Sequence, residues 1–311
     1  MSWPESPAED FQYTVSTDGN GIWLEKYIGS GETVVIPAEI DGLPVTRFVG
    51  VRHPDSSNGL IAEGVFEGNT AVKEVVLPNT LIHIGMSAFL NCSALTHVYI
   101  PADSALEVIG DSAFNRCVAL QSMDLSSTRV WMIADYAFQF CSALTEFRFS
   151  NTLTEIRRNA FEGCSALSEA HLPDNLTTIG DDAFARCESL KRVTIPPRLE
   201  MDSWHTPLFY GVPALEQIIF TEGRETLVGV NMIHITSEVE VVIPKGVTKF
   251  SGYLLVTDGK IPVRLKFLGD CPQLVLYENG TYDHYTVYYD PAAKGWENSV
   301  WTRLFTMNPI E

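Results

Sequence analysis

The sequence is poor in basic residues, in long apolar runs and in cysteine. Its 311 residues include 21 Lys and Arg against 39 Asp and Glu, which gives a formal charge of −18. A charge this negative argues against sequence-independent binding to nucleic acid or to an anionic membrane, because both need a basic surface. No apolar run approaches the ~18 residues of a membrane span, and 6 cysteines are too few for a disulfide-stapled miniprotein. The apolar fraction of 45% nevertheless predicts a folded protein with a sizeable core.

The first ten residues lack the features of a signal peptide. They contain neither a basic stretch nor an apolar one. Two expectations stay open at this point: a cytoplasmic protein, or a mature chain from which a leader was removed.

Motifs that mark common catalytic sites are also missing. The sequence has no Gly-x-Ser-x-Gly, no His-Glu-x-x-His, no phosphate-binding loop and no dinucleotide-binding glycine pattern. The adjacent carboxylates of Asp181 and Asp182 precede a predicted helical turn, where acidic residues favour a solvated first turn. The histidines are dispersed, and the calcium-loop pattern is absent. We therefore expect no catalytic residue, no metal site and no cofactor.

What the sequence does contain is an internal repeat. Phenylalanines recur with a mean step of about 24 residues, which is within the range of leucine-rich repeats. The middle five units share the pattern Ala-Phe-x-x-Cys-x-x-Leu. The seven aligned phenylalanines are Phe66, Phe89, Phe114, Phe138, Phe161, Phe184 and Phe209.

The spacing between apolar residues changes within each unit. Phe89 and Cys92 are three residues apart, which places them on one face of a helical turn. Val98 and Ile100 are two apart, which places them on one face of a strand. Pro101 then ends the strand, where its missing N–H donor is harmless. The unit is predicted to be a short strand, a turn and a short helical or 3-10 segment. Such units cannot bury their apolar face alone, so they must stack.

The chain divides into three predicted segments. Residues 1–32 alternate around a Gly-rich turn, which predicts an N-terminal capping hairpin. Residues 33–221 form an array of about seven units. Residues 222–311 repeat the motif poorly and are rich in aromatic residues, so we expect degenerate repeats and a β-rich C-terminal cap. The predicted fold class is α/β, a right-handed leucine-rich-repeat solenoid with short parallel strands.

The unit Leu-x-x-Ile-x-Ile-Pro…Ile-Gly-x-x-Ala-Phe-x-x-Cys resembles the bacterial leucine-rich repeats of the BspA type, also described from treponemes. The resemblance covers roughly residues 30–300, including the starting segment 34–46 and the tail segments 266–272, 286–291 and 295–296. It implies a secreted or cell-surface protein, since most members of this family are found there. Some members are adhesins that bind host matrix proteins or other cells.

Two places depart from the repeat. Residues 49–60 extend the first unit, and the last unit, 208–212, lacks both the Ala and the Cys. Atypical end units are expected because they cap a stack. The extension is a second candidate for function, since long loops often carry it, although we favour a plain surface insertion.

Five cysteines hold the same position in successive units. Stacking would bring their Cα atoms about one strand spacing apart, within reach of a disulfide or a thiolate metal site. We favour a ladder of small buried thiols packed against the phenylalanines, because zinc sites prefer a short Cys-x-x-Cys spacing that is absent here. The five are Cys92, Cys117, Cys141, Cys164 and Cys187, and the sixth cysteine is Cys271.

Alternation along each strand predicts a surface for a partner. Every strand contributes outward positions that stack into columns, and the strand residues of a solenoid form an extended binding surface. Tyr and Arg are common interface anchors. Ordinary cross-strand pairing, with Asp124 and Arg148 as an exposed ion pair, is the alternative. The residues predicted to bind a partner are Tyr99, Asp124, Arg148, His171, His97 and Glu146.

Three hypotheses about function follow. The first is a non-catalytic, adhesin-like binding protein, secreted or on the cell surface, that recognises a protein or glycoprotein. The second is an intracellular scaffold. The third, which no motif supports, is an enzyme acting on glycans or peptides. We expect neither nucleic-acid binding nor membrane insertion.

Overall fold

The computed structural model describes residues 3–52, 62–200, 208–227, 233–251, 255–257, 261–275 and 284–310. The chain forms a β-solenoid of about 10 turns with almost no helix, which confirms the predicted fold. The segments predicted to be short helices are hydrogen-bonded turns. In one unit the N–H of Leu90 donates to the Ser87 carbonyl at 3.0 Å, and that of Cys92 donates to the Phe89 carbonyl at 3.1 Å. These bonds span three residues and do not continue into a helix.

One series of parallel strands, which we name the first ladder, runs along the solenoid. Neighbouring strands pair in register, with two exceptions. Strands β10 and β12 lie side by side without a regular ladder of hydrogen bonds, and so do β14 and β16. The strands lengthen towards the C-terminus. They are β3 (Thr33–Val35), β8 (Glu74–Val76), β10 (His97–Tyr99), β12 (Ser122–Asp124), β14 (Glu146–Arg148), β16 (Glu169–His171), β18 (Arg192–Ile195), β19 (Gln217–Phe220), β22 (Val239–Ile243), β25 (Val263–Phe267), β27 (Tyr285–Tyr289) and β28 (Thr306–Pro309).

A second ladder follows the first in each turn, and in the array all its strands after the first are only 2 residues long. Its main part comprises β5 (Leu43–Phe48), β9 (His83–Ile84), β11 (Val108–Ile109), β13 (Met132–Ile133), β15 (Glu155–Ile156) and β17 (Thr178–Ile179). Later parallel groups are β20 (Thr226–Leu227) with β23 (Lys249–Ser251) and β26 (Gln273–Val275), and β21 (Ile233–Ile235) with β24 (Leu255–Thr257).

An antiparallel hairpin lies at the N-terminal edge of the second ladder. Its strands are β1 (Phe11–Val15) and β2 (Ile22–Tyr27), and β2 pairs in parallel with β5. The remaining elements are a 3-10 helix (Ala8–Asp10), β4 (Glu39–Ile40), β6 (Val51–Arg52), β7 (Ala62–Glu63) and α1 (Val300–Leu304). Strand β4 pairs with β5, and β6 pairs with β7, in both cases antiparallel. Most of the predicted 49–60 extension, residues 53–60, lies outside the described residues.

The repeat phenylalanines form a continuous stack inside the solenoid. All seven are buried. The rings of Phe114 and Phe138 lie 5.0 Å apart at 5°, and those of Phe161 and Phe184 lie 5.1 Å apart at 2°. The stack loses its parallel geometry at the last unit, where Phe184 and Phe209 are 6.2 Å apart at 38°. The predicted repeat register is therefore correct through the array.

Hydrogen bonds join the turns of successive units, and they run forward along the chain. The N–H of each of the first five repeat phenylalanines donates to the carbonyl of the alanine in the next unit. The N···O distances are 2.7 Å for Phe66 to Ala88, 2.7 Å for Phe89 to Ala113, 2.7 Å for Phe114 to Ala137, 2.7 Å for Phe138 to Ala160 and 2.8 Å for Phe161 to Ala183. At the start of the array the hairpin supplies the equivalent donor, since the Tyr27 N–H reaches the Val65 carbonyl at 2.8 Å.

The residue two positions after each repeat phenylalanine takes a left-handed backbone conformation. This conformation costs about 1–2 kcal/mol for a residue with a Cβ atom. Glycine avoids the cost in three units, at Gly68, Gly163 and Gly211. The other four units accept it, at Asn91 (φ 61°), Arg116 (φ 61°), Phe140 (φ 60°) and Arg186 (φ 57°).

Candidate functional site

The outward residues of the first ladder form the surface that we call the strand face. In each strand they flank a buried residue, as Glu146 and Arg148 flank Phe147. Pairing between strands aligns them: Asp124 lies opposite Arg148, and His171 lies opposite Thr194. All six residues predicted for the binding surface lie on the strand face.

The N-terminal part of the strand face is an aromatic group centred on Tyr99. Its side chain, 40% exposed, stacks with His97 at 5.9 Å and donates a hydrogen bond to Glu74 Oε1 at 3.3 Å. Partial desolvation, together with the charge and hydrogen bond of Glu74, raises the pKa of Tyr99. The indole of Trp3, from the N-terminal segment, packs edge-on against Tyr99 with ring centroids 5.1 Å apart. No local pattern in the sequence indicates that Trp3 reaches this position.

The central part is a charged group around Arg148. Its Nε donates to Glu146 Oε1 at 2.7 Å, and its Nη1 lies 3.8 Å from Asp124 Oδ2. The hydrogen bond and charge of Glu146, aided by Asp124, raise the pKa of the Arg148 guanidinium. All three side chains are more than half exposed, at 63% for Arg148, 58% for Glu146 and 56% for Asp124. The predicted exposed ion pair is therefore present as part of a three-residue group.

A third group of polar side chains continues towards the C-terminus. His171 Nε2 lies 3.0 Å from Glu169 Oε2, and Arg192 Nη1 lies 3.5 Å from Glu169 Oε1. Arg192 Nε donates to Gln217 Oε1 at 3.0 Å, and Gln217 Nε2 donates to Glu240 Oε1 at 2.7 Å. The structure thus brings the six predicted residues together as three neighbouring groups: His97 with Tyr99, Asp124 with Glu146 and Arg148, and His171 with Glu169.

The strand face also contains a cleft that the sequence analysis missed. It has a volume of about 520 Å³ and is lined by Glu240, Lys266, Tyr288, Asn308 and the end of β28. Lys266 lies opposite Tyr288, which in turn lies opposite Asn308. The alternation of Val239–Ile243 would have indicated these outward positions, had the strand period been followed past the last phenylalanine.

The five repeat cysteines are free thiols inside the core. Each donates its S–H to the carbonyl of the phenylalanine in the preceding unit, as Cys141 Sγ does to Phe114 O at 3.1 Å and Cys187 Sγ does to Phe161 O at 3.2 Å. Burial raises the pKa of the Cys187 thiol to about 12. The predicted thiol ladder is confirmed. Within the described residues, no three His, Cys, Asp or Glu side chains converge on a common point.

Comparisons with known proteins place these features in a family. Residues 53–133 and 131–258 match the BspA type leucine rich repeat region, with 6 copies. No curated protein matches the chain significantly. In the part of the chain that the structure describes, no helix has the length and apolar character to cross a bilayer.

The chain is also similar to solved structures of bacterial proteins. The chain is similar to the leucine rich repeat protein TpLRR of T. pallidum, with 26% identity and a TM-score of 0.50 over 77% of this chain and 86% of that one. A leucine rich cell surface protein from Faecalibacterium prausnitzii has 20% identity and a TM-score of 0.44 over 86% of this chain and 95% of that one. The repeat match over most of the array shows that the chain belongs to the BspA type leucine-rich repeat family.

Proposed function

We propose that this protein is a non-catalytic, adhesin-like binding protein, secreted or attached to the cell surface, that recognises a protein or glycoprotein through the strand face. Proteins of this repeat family are generally binding modules rather than enzymes, and they are typically surface or secreted bacterial proteins. The proposal for this particular chain rests on the character of its strand face.

The observation that carries the proposal is the exposure of large polar side chains on a rigid ladder. Arg148 and Tyr99 project from strands whose buried residues, Phe147 and Val98, fix the backbone in the core. A partner would meet these side chains already positioned, so less conformational entropy would be lost on binding.

Energetics favour binding as the role of these side chains. Ion pairs between exposed residues contribute only about 0–1 kcal/mol to stability, so the Asp124–Arg148 pair does little for the fold. Buried in an interface, Tyr and Arg are among the residues that contribute most to affinity. The cleft at Lys266 and Tyr288 extends the same surface and offers a recess for a projecting group.

The test is saturable binding of the purified chain to immobilised matrix proteins and mucins. The double variant Tyr99→Ala/Arg148→Ala removes one anchor from each of two strand-face groups, and we expect it to weaken binding at least tenfold while the chain stays folded. The matched control is Tyr210→Ala/Arg116→Ala, which removes the same residue types from exposed positions at the turns.

Two results would contradict the proposal. Full-strength binding by the Tyr99/Arg148 variant would exclude the strand face as the contact surface. Binding to none of the panel members would argue against an adhesin and favour the scaffold hypothesis.

A further inference from the structure

A second recess lies away from the strand face, between the N-terminal hairpin and the second ladder. It has a volume of about 450 Å³, within the ~300–1,000 Å³ typical of small-molecule sites. The hairpin turn forms one wall, and the β5 residues Thr46 and Arg47 form the other. Trp23 and Ile82 also line it.

The wall formed by the hairpin turn is held by its own hydrogen bonds. Ser16 Oγ accepts hydrogen bonds from the backbone N–H groups of Asn20 at 3.1 Å and Gly21 at 3.0 Å. Asp18 accepts a hydrogen bond from the Ser16 hydroxyl at 2.5 Å and one from the Asn20 N–H at 3.1 Å. These bonds lower the pKa of Asp18, which therefore stays ionised. The cleft is thus preformed, and Asp18 presents an acceptor for hydroxyl groups.

Arg47 contributes a positive charge to one wall of the cleft, and Asp18 contributes a negative charge to the other. Other arginines of this acidic chain, among them Arg148, Arg157 and Arg192, lie within ion-pair distance of a carboxylate. In the part of the chain that the structure describes, Arg47 has no ion pair. Its guanidinium lies over Trp23 instead, 6.0 Å from the ring centroid.

The charge of Arg47 also affects the neighbouring histidine. His83 lies opposite Arg47 in the second ladder. Burial, and then the charge of Arg47, lower the pKa of His83, while Glu107 acts weakly in the opposite direction. His83 is therefore uncharged at neutral pH, which leaves Arg47 as the cation beside Trp23.

These groups define the chemistry of a ligand. A guanidinium binds a carboxylate through two parallel hydrogen bonds, because its planar set of N–H donors matches the two carboxylate oxygens. The half-buried indole offers an apolar surface, and the hydroxyl and carboxylate oxygens of Thr46 and Asp18 can pair with ligand hydroxyls. We propose that this cleft binds a carboxylated sugar unit, a sialic or uronic acid residue, with the carboxylate on Arg47.

The experiment titrates the full chain with 3′-sialyllactose and glucuronic acid, and with lactose and acetate as the neutral sugar and the simple carboxylate. Isothermal calorimetry or ligand-observed NMR measures the binding. We expect saturable binding of at least one acidic sugar and none of lactose or acetate. Arg47→Gln should weaken it at least tenfold, and Arg47→Lys should weaken it less because the charge remains.

A matched control tests whether the cleft matters as well as the arginine. Arg116 lies over the Phe140 ring at 5.2 Å, the same kind of stacked pair on an open surface, so Arg116→Gln should bind as the unchanged chain does. The Tyr99→Ala/Arg148→Ala variant should also keep sugar binding, which separates this site from the proposed strand-face function.

Several results would overturn the assignment. They are no binding of either acidic sugar, equal binding of lactose or acetate, or unchanged affinity in a folded Arg47→Gln chain. If that variant does not fold, the Arg47→Lys chain takes its place in the test. Equal affinity of the Arg47→Lys chain for the acidic sugars and for lactose would also overturn the assignment.

Discussion

The repeat array, predicted at residues 33–221, and the C-terminal turns, predicted at residues 222–311, share one strand ladder but fill their interiors differently. In the array, parallel phenylalanine rings stack about one strand spacing apart, as Phe161 and Phe184 do at 5.1 Å. In the C-terminal turns the rings meet at steep angles: Phe267 and Trp301 are 5.0 Å apart at 69°. The ladder of parallel strands thus continues through both regions, whereas the packing of the aromatic rings inside the solenoid differs between them.

The two regions also differ in their backbone. Most array units place non-glycine residues in the left-handed region at the turns, such as Ser112 at 53° and Arg116 at 61°. In the described part of the C-terminal turns, Asn298 is the sole non-glycine residue with a positive φ. The array accepts this strain because every turn is bonded to the next, so a regular stack offsets a local cost.

The largest expected contrast between the regions is thiol reactivity. The array thiols are buried and become accessible only when the stack opens, and burial raises the pKa of four of them, Cys117, Cys141, Cys164 and Cys187. Cys271 in the C-terminal turns is partly exposed, although burial raises its pKa as well. With iodoacetamide at pH 8, we expect Cys271 to be labelled at least ~1,000-fold faster than the array thiols, given the 5–15 kcal/mol stability of a typical domain.

Peptide-resolved mass spectrometry would follow the labelling, and the denatured chain provides the control, with all 6 cysteines modified. Rapid native labelling of Cys141 would show that the array is looser than its packing indicates.

The next largest effect should come from the ring stack. Phe138→Ala removes a ring that contacts Phe114, Phe161 and Phe147, so we expect the free energy of unfolding to fall by about 3–5 kcal/mol. Chemical denaturation measures the change. Val118→Ala, at an exposed apolar residue of the array, is the control and should have little effect. An unchanged denaturation midpoint in Phe138→Ala would contradict the assigned register.

A smaller effect should come from relief of backbone strain. Arg186 has a φ of 57°, and its contact with Glu162 is a 3.8 Å surface ion pair. Arg186→Gly and Arg186→Ala both lose that pair, but only glycine removes the left-handed cost. We expect the glycine variant to be about 1 kcal/mol more stable than the alanine variant in thermal unfolding. Equal stability would mean that the stack imposes no strain at this position.

The smallest effect should be on the strand face. Asp124→Asn removes the charge of an exposed pair at 3.8 Å, and we expect the stability to change by less than ~0.5 kcal/mol. Thermal unfolding in low and high salt would measure it. A loss above ~1 kcal/mol would show that the strand face stabilises the solenoid and would weaken its assignment as a binding surface.

Much of the fold could be predicted from the sequence because a repeat multiplies weak local signals. The positions of Phe138, Cys141 and Leu144 were correctly assigned to the core. The conformation of the turn segment is harder to predict, because the three-residue spacing of Phe and Cys suits both a helix and a series of turns. Non-glycine residues such as Phe140 give no sequence sign of a left-handed conformation, which neighbouring units impose.

The candidate site was predictable only in outline. Alternation placed Tyr99 and Arg148 outward, since strand periodicity alone decides which face a residue occupies. The contact of Trp3 with Tyr99 and the cleft beside Arg47 arise from segments far apart in sequence, and no local pattern encodes their meeting. The sequence after Phe209 predicts degenerate repeats because the repeat motif describes the turn more than the strand.

The forward-running hydrogen bonds give the solenoid a polarity, like a filament with unlike ends. At the turns each unit donates N–H groups to the following unit, so the turns of the first unit present free carbonyl acceptors and those of the last unit present amide donors. The hairpin meets the first requirement, because the Tyr27 N–H occupies the place of a preceding unit's phenylalanine at Val65. A segment that caps the turns at the start of the array must therefore supply donors, whereas one that caps the turns at its end must supply acceptors.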